Sequence, residues 1–489
     1  MLSDPAAVWR TIAHDLARYD TSFASKLLEV LKSGTVDPGR PDIVSHFESL
    51  IMEPFTERHK ESLPHDIPVI IIDALDECAS DPSQAGKRRA LLDTFVHWSH
   101  LPRSFKLIVT GRDERVPLSF RLCCKQIELP TGAEVDMDTI QDIRKFFEQR
   151  FADLCGPSLG DWPGETVLDT LTTQAAGLFI WAETVIRFVE QGLPDEQLEH
   201  VLNGNLGDGD NVTKLYRQIL ELSFQDANVR MLSVLNRVAT AILLAKIPLY
   251  VNNLPAIILQ PQASVTTIIN KLSSVISIGS DSRIRIKHLS FAEFMCDPHR
   301  CPERFYVDHS KGSQEMSMTC FRLMKEGLKF NICDLETSHL PNKYVEDLSG
   351  RILKKIGHPL IYSCRFWAAH IRDTPIDLRD NNTLITEVRG FFQSQFLYWL
   401  EVMSVTGEVA TANVALLSVA GWIEVSGWLF TEVAADIERY QYYNSRYLTQ
   451  TYQTLSAMAA DSSPIFSPQF LKVPPTSMCQ HCHFHQKRA

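Results

Sequence analysis

The chain has 489 residues and a mass of 55.4 kDa, room for about three or four compact units at roughly 150 residues each. It is 45% hydrophobic and 22% charged, which excludes a chiefly disordered or fibrous protein, and its net charge of -11 offers no basic footprint for nucleic acid. Eleven cysteines are too sparse for a disulfide-stapled secreted scaffold and fit a reducing, cytoplasmic compartment. Met1-Leu2-Ser3-Asp4-Pro5 lacks the basic-then-apolar pattern of an export signal. The greasiest region, 238–259, is broken by Lys246, Pro248, Asn252, Asn253 and Pro255, so no membrane span is expected.

The first 60 residues predict helices. Val8, Ile12 and Leu16, then Phe23, Leu27, Leu28 and Leu31, recur at three- and four-residue spacing, and Gly34 stops the second run. Pro68-Val69-Ile70-Ile71-Ile72-Asp73 then reads as a strand buried on both faces of a parallel sheet, as does 105–110, with a weaker third run at 126–129. Between the first two lies a helical stretch, 88–100, striped by Leu91, Leu92, Phe95 and Trp98. Strand, helix, strand at this spacing is a βαβ unit with a right-handed crossover.

From Asp138 the pattern is largely helical. Ile140, Ile143, Phe147 and Phe151 form one face of a helix that Asp136 or Asp138 can cap. Residues 166–190 read as a helical stretch, and the Gly- and Asp-rich 204–210 as a linker. Helices follow at 215–224 and 231–244. Val275-Ile276-Ser277-Ile278 and Arg283-Ile284-Arg285-Ile286, joined through Gly279-Ser280-Asp281, predict a β-hairpin, and helices followed by a small hairpin suggest a winged-helix unit. Aromatic-rich helices occupy 311–460, and the Pro- and Ser-containing end predicts a poorly ordered tail.

The chemistry-bearing signals sit at strand ends. An apolar strand ending in Asp73, with Asp76 and Glu77 just beyond, is what a nucleotide hydrolase needs: one carboxylate for magnesium, another to polarise the attacking water. A solvated acidic loop accounts for the same residues. Leu107-Ile108-Val109-Thr110-Gly111-Arg112 places a cation just past the neighbouring strand, where it can meet a terminal phosphate or pair with Asp113 or Glu114.

These segments, with Gly177-Leu178-Phe179-Ile180-Trp181-Ala182 after them, resemble in order the NACHT-type signal-transducing NTPases, and most of all the fungal set whose amino-terminal region is labelled nephrocystin-3-like. The resemblance implies Asp73 as the Walker B magnesium residue, Asp76 and Glu77 as the extended acidic pair, and Arg112 as a sensor. Leu215-Tyr216-Arg217-Gln218-Ile219-Leu220 and Tyr398-Trp399-Leu400-Glu401 are similar to the same family. Ile286-Lys287-His288-Leu289-Ser290-Phe291 is similar to its winged-helix segment, where a His reaches the diphosphate of ADP; His288 is then the nucleotide-sensing candidate, and a locally satisfied His is the alternative.

One departure decides the functional expectation. A phosphate loop needs Gly-x-x-x-x-Gly-Lys-Ser/Thr, whose backbone N–H groups close around phosphates; the only Gly-Lys here is Gly86-Lys87, followed by Arg88 and with no glycine five residues before it. The expected fold is an incomplete α/β P-loop NTPase sheet followed by mostly α-helical parts. These are a partial NACHT domain (1–132), a helical subdomain (133–205), a winged-helix domain (211–310), a helical arm (311–460) and a flexible tail (461–489). The expected function is that of a truncated NACHT-like regulatory protein acting through protein contacts or self-association. Complete relatives use ATP, ADP and Mg, whose binding here is impaired. The alternatives are an active Mg-dependent ATP or GTP switch, with the phosphate loop supplied by a missing N-terminus, and a helical interaction scaffold. Cys479-Gln480-His481-Cys482-His483 has zinc-type ligands but no second pair, and reads as incidental.

Overall fold

A computed structural model describes residues 5–36, 42–58, 69–75, 78, 85–98, 100–101, 105–111, 118–127, 129, 134–155, 162–203, 210–336, 342–375 and 382–425. The chain divides into two compact units, 1–129 and 130–489.

The first unit begins with α1 (Val8–Tyr19) and α2 (Thr21–Ser33). Asp20 caps α2 by accepting from the N–H groups of Ser22 and Phe23, and Gly34 ends it in the left-handed region at φ 71. The buried stripe of α2 is Phe23, Leu27 and Val30; Leu28 and Leu31 instead face solvent, because the spacing fits two registers and only one meets the core. α3 (Ile43–Phe47) continues through a π turn into α4 (Glu53–Arg58). β1 (Val69–Ile72), α5 (Ala85–Trp98) and β2 (Lys106–Val109) follow, then α6 (Leu118–Cys123).

β1 and β2 pair in parallel with Ile72 opposite Val109, as the βαβ pattern predicts. The helices cover only one sheet face. Ile70 is buried, and Ile72, Leu107 and Val109 pack against the core, whereas Val69, Ile71 and Ile108 are at least half exposed. The expectation of strands buried on both faces is therefore corrected: among the described residues nothing covers the second face. The third strand is corrected too. Gln126, Ile127 and Leu129 are not in a strand, and Ile127 and Leu129 are exposed. The core below the sheet is aromatic. Trp9, on α1, packs against Phe47, Phe95 and Trp98, and its indole N–H donates to the buried Thr94 hydroxyl at 2.9 Å.

The second unit is mostly helical. α7 (Met137–Cys155) is capped by Asp136, which accepts from Thr139 N–H at 2.7 Å, and Ile143, Phe147 and Phe151 are its buried stripe. The stretch 166–190 is two helices, α8 (Glu165–Ala175) and α9 (Phe179–Val189), because Ala176 and Gly177 turn left-handed between them. α10 (Pro194–Asn203), α11 (Asn211–Ser223), α12 (Val229–Leu244), α13 (Leu254–Ile258) and α14 (Gln262–Lys271) lead to the hairpin of β3 (Ile276–Ile278) and β4 (Ile284–Ile286). The pairing is antiparallel, and Asp281 clamps the turn by accepting from Arg285, which holds its carboxyl down at about 2.

α15 (Leu289–Met295) and α16 (His309–Gly327) follow, then α17 (Leu348–Lys355), α18 (His358–Arg372), α19 (Asn382–Ser394), α20 (Phe396–Val405) and α21 (Val409–Val425). One apolar cluster runs through the unit from Ile143 to Trp422. Glu401 and His370 are among the polar groups buried in this unit. The Glu401 carboxylate accepts from the backbone N–H groups of Asn331 and Ile332 at 3.1 and 2.9 Å, holding a loop with left-handed residues at Asn331 and Asp334. His370 lies under α18 with its Nε2 2.8 Å from the Tyr362 hydroxyl; that hydroxyl accepts from Lys246 N–H, and the Lys246 side chain pairs with Asp373.

Candidate functional site

The parallel register carries Asp73 and Thr110 one step past Ile72 and Val109, so the two side chains meet at the carboxyl ends of β1 and β2. Thr110 ties the junction together. Its N–H donates to Ile72 O at 3.0 Å, its hydroxyl to Asp73 Oδ1 at 2.5 Å, and its carbonyl accepts from Leu75 N–H at 2.9 Å. Ala74 N–H completes the circuit by donating to Thr110 Oγ1 at 2.8 Å. These bonds hold Ala74 at φ 53, a conformation that costs a residue with a Cβ of order 1 kcal/mol. The result is an exposed carboxylate fixed in direction by a hydroxyl on the adjoining strand.

Thr110 is the residue that sequence reasoning passed over. Its signal lay at the strand ends: the apolar residues 69–72 and 107–109 each stop at a polar residue, and the parallel register makes Asp73 and Thr110 neighbours. Asp76, Glu77 and Arg112 lie outside the described residues. Among the described residues, no three His, Cys, Asp or Glu side chains gather as a metal-binding set. Magnesium commonly takes only one or two protein carboxylates beside water and phosphate, so Asp73 suits one ligand position. The polyphosphate is different: the sequence contains no Gly-x-x-x-x-Gly-Lys-Ser/Thr loop to surround it.

His288 belongs to the second unit, at the N-cap of α15. Its Nδ1 accepts from Ser290 N–H at 3.1 Å and lies 2.7 Å from the Ser290 hydroxyl, which is in turn 2.9 Å from the Tyr216 hydroxyl. A nitrogen that accepts from a backbone N–H carries no proton, so the neutral ring bears its hydrogen on Nε2. His288 thus has a local structural task, the alternative weighed from the sequence, and the same arrangement leaves Nε2 as the donor nitrogen. Burial pushes the Tyr216 phenol up.

The neighbouring Lys287 donates to Ser273 O at 2.8 Å, and burial lowers its pKa, with Arg187 adding to the effect. Arg187 and Arg150 share Glu183 and Glu190, which joins α7 and α9 at this corner.

The cysteines give no activated nucleophile among the described residues. Burial pushes Cys296 up to about 11 and Cys301 and Cys320 up to about 12, away from thiolate formation. Cys123 and Cys124 are exposed, and the 479–485 cluster lies outside the described residues.

A family model described as Nephrocystin 3, N-terminal matches residues 2–112. Residues 2–112 are similar to that family's model. This segment holds α1–α5, both parallel strands and the Asp73–Thr110 junction, and spans less than a quarter of the 489 residues. No curated protein and no solved structure matches the chain. No helix among the described residues is long and apolar enough to cross a membrane.

Proposed function

We propose that this protein is a NACHT-like regulatory molecule that acts through protein contacts, with little ability to grip a nucleoside triphosphate through its own residues. The observation that carries the reading is the nephrocystin-3-like match over 2–112, which includes an acidic residue ending one parallel strand beside the next. In this reading Asp73 is the Walker B carboxylate and Thr110 positions it. Residues 211–310 are the winged-helix part, supported by helices leading into the β3–β4 hairpin, and His288 is its nucleotide-facing residue. The helices of 311–425 form a contact-making arm, open to a protein partner or a second copy. The compartment is the cytosol.

A second reading has one observation in its favour. The hydroxyl-oriented Asp73 carboxylate is the arrangement a working magnesium site requires, so a phosphate loop supplied from outside these residues would make a Mg-dependent switch.

Titrating the full chain with a fluorescent ATP analogue, with and without Mg, separates the two. The regulatory reading expects no saturable binding at micromolar concentrations. Micromolar binding abolished by Asp73→Ala and weakened by Thr110→Val would replace it with the switch.

A further inference from the structure

Arg88, near the start of α5, is a buried charge without a counter-charge. It is 8% exposed, its Nε has no hydrogen-bond partner, and among the described residues it makes no ion pair. Glu401, buried to the same degree, is met by two backbone N–H groups. Arg217, Arg283 and Arg365 also leave Nε unbonded, yet each bonds through another guanidinium nitrogen, to Arg300 O, the Tyr250 hydroxyl and Glu408. A guanidinium taken out of water is costly unless acceptors or an anion meet it.

The fold sets Arg88 beside the strand ends. At the other end of α5 the Trp98 indole N–H donates to Phe105 O at 3.4 Å, so the last turn sits at the amino end of β2 and the helix runs back from the opposite edge. Ten residues of helix span about 15 Å, and the five steps from Phe105 to Thr110 about 16 Å, which brings Arg88 level with Thr110 and Asp73. Arg88 shares its helix face with Leu92 and Phe95, which lie in the core that also takes Ile72 and Val109. A helical side chain leans towards the start of its helix, here the carboxyl edge of the sheet. The first turn of α5 holds no acidic residue, and its N–H groups add the positive end of the helix dipole. Asp73, at the same edge, accepts from the Thr110 hydroxyl instead.

We propose that Arg88 is the charged ligand of an oxyanion site at the carboxyl edge of the β1–β2 sheet, which takes a phosphate-sized tetrahedral anion. The planar guanidinium fork matches two oxygens of such an anion and supplies the charge that burial otherwise leaves uncompensated. A single phosphoryl group needs no glycine-rich cradle, so the site is separate from the polyphosphate loop the sequence lacks, and the regulatory reading stands or falls without it. Asp73 is a like charge to the anion and opposes it, so no metal is required.

The test is isothermal titration calorimetry of the full chain with orthophosphate, at constant ionic strength and without divalent metal. One saturable site in the millimolar range is expected. Arg88→Met keeps the apolar stem and removes the fork, and should weaken binding about ten- to a hundredfold, the span of a charged hydrogen bond. Arg89→Met, at the exposed neighbour, should leave it unchanged, and Asp73→Asn should keep or tighten it. No saturable binding to the wild type would overturn the proposal, leaving Arg88 as a stem packed for its methylenes. Equal losses in the two Arg variants would overturn it in favour of diffuse surface charge, and loss in Asp73→Asn in favour of a metal-bridged ligand. If Arg88→Met fails to fold in circular dichroism melts, Arg88→Lys, which keeps the charge and loses the fork, should still bind more weakly than the wild type; equal binding would overturn the fork. Competition with ADP separates two sources of the oxyanion: displacement of orthophosphate assigns it to a nucleotide's phosphoryl group, and persistence to the free ion, with Arg88 the ligand in both. Micromolar ADP binding abolished by Asp73→Ala would replace the regulatory reading while leaving the orthophosphate result to decide this site.

Discussion

His370 offers a direct test of how the second unit is stabilised. The ring is fully buried on α18, its Nε2 faces the Tyr362 hydroxyl, and its Nδ1 has no hydrogen-bond partner. Burial, reinforced by the Lys246 and His309 charges and opposed by Asp373, lowers its pKa from 6.5 to about 3. Because the folded state resists protonation and the unfolded state does not, the stabilisation is complete above pH 6.5 and is lost as pH falls towards 3. Acidification from pH 7 to 5 crosses about 1.5 units below the unfolded value, at ~1.4 kcal/mol per unit, so this one ring removes about 2 kcal/mol. The assay is hydrogen exchange of the buried α18 amides, corrected for intrinsic pH dependence. Protection should fall about 30-fold more in the wild type than in His370→Phe, which keeps the bulk and removes the titration. The variant is less stable at pH 7 by about 1 kcal/mol, since the Tyr362 hydroxyl loses its acceptor. Equal pH dependence in the two proteins would refute the assignment of a buried, neutral ring.

The same geometry bears on Glu401, His288 and the cysteines. Glu401→Ala should cost about 2–3 kcal/mol by leaving the Asn331 and Ile332 N–H groups without their acceptor, seen as a lower denaturation midpoint and faster exchange in that loop. Burial pushes the Glu401 carboxyl up, so the folded state takes a proton more readily than the unfolded state. Its contribution should therefore become more favourable as pH falls from neutral towards the ordinary carboxylate range, a trend that Glu401→Gln abolishes in a pH series of midpoints. His288→Ala should destabilise α15 by about 1 kcal/mol and His288→Asn by much less, because Asn still caps the helix; equal losses in circular dichroism melts would remove the capping role. Thiol labelling of the native protein should reach Cys123 and Cys124 within minutes while Cys320 and Cys364 react only after unfolding, which peptide mapping by mass spectrometry checks.

Where one residue type determines local geometry, the sequence was read correctly: Gly34 as a helix stop, Asp136 as one of two cap candidates, Gly279 and Asp281 as a hairpin turn. The parallel pairing of the two strands was legible because β-branched, apolar runs flank a helix of crossover length. Burial was not. An aliphatic strand looks the same whether helices cover one face or two, so Val69, Ile71 and Ile108 gave no warning of exposure. The break at Ala176-Gly177 was hidden because apolar periodicity resumes in phase after it. Of the site, Asp73 and its strand-end position were visible, while Thr110 required the register between strands. His288 was singled out by resemblance, but its capping role shows only in the fold, since a ring nitrogen bonded two residues ahead leaves no trace in spacing.

The half-covered sheet has a consequence for handling the protein. Among the described residues the two short strands pair only with each other, so beside the exposed side chains of Val69, Ile71 and Ile108 both lateral margins offer ladders on which an extended polypeptide can align. Preparations of the 1–129 region should accordingly associate as concentration rises, and lysines installed at positions 71 and 108 should keep them dispersed without disturbing the aromatic core on the other side.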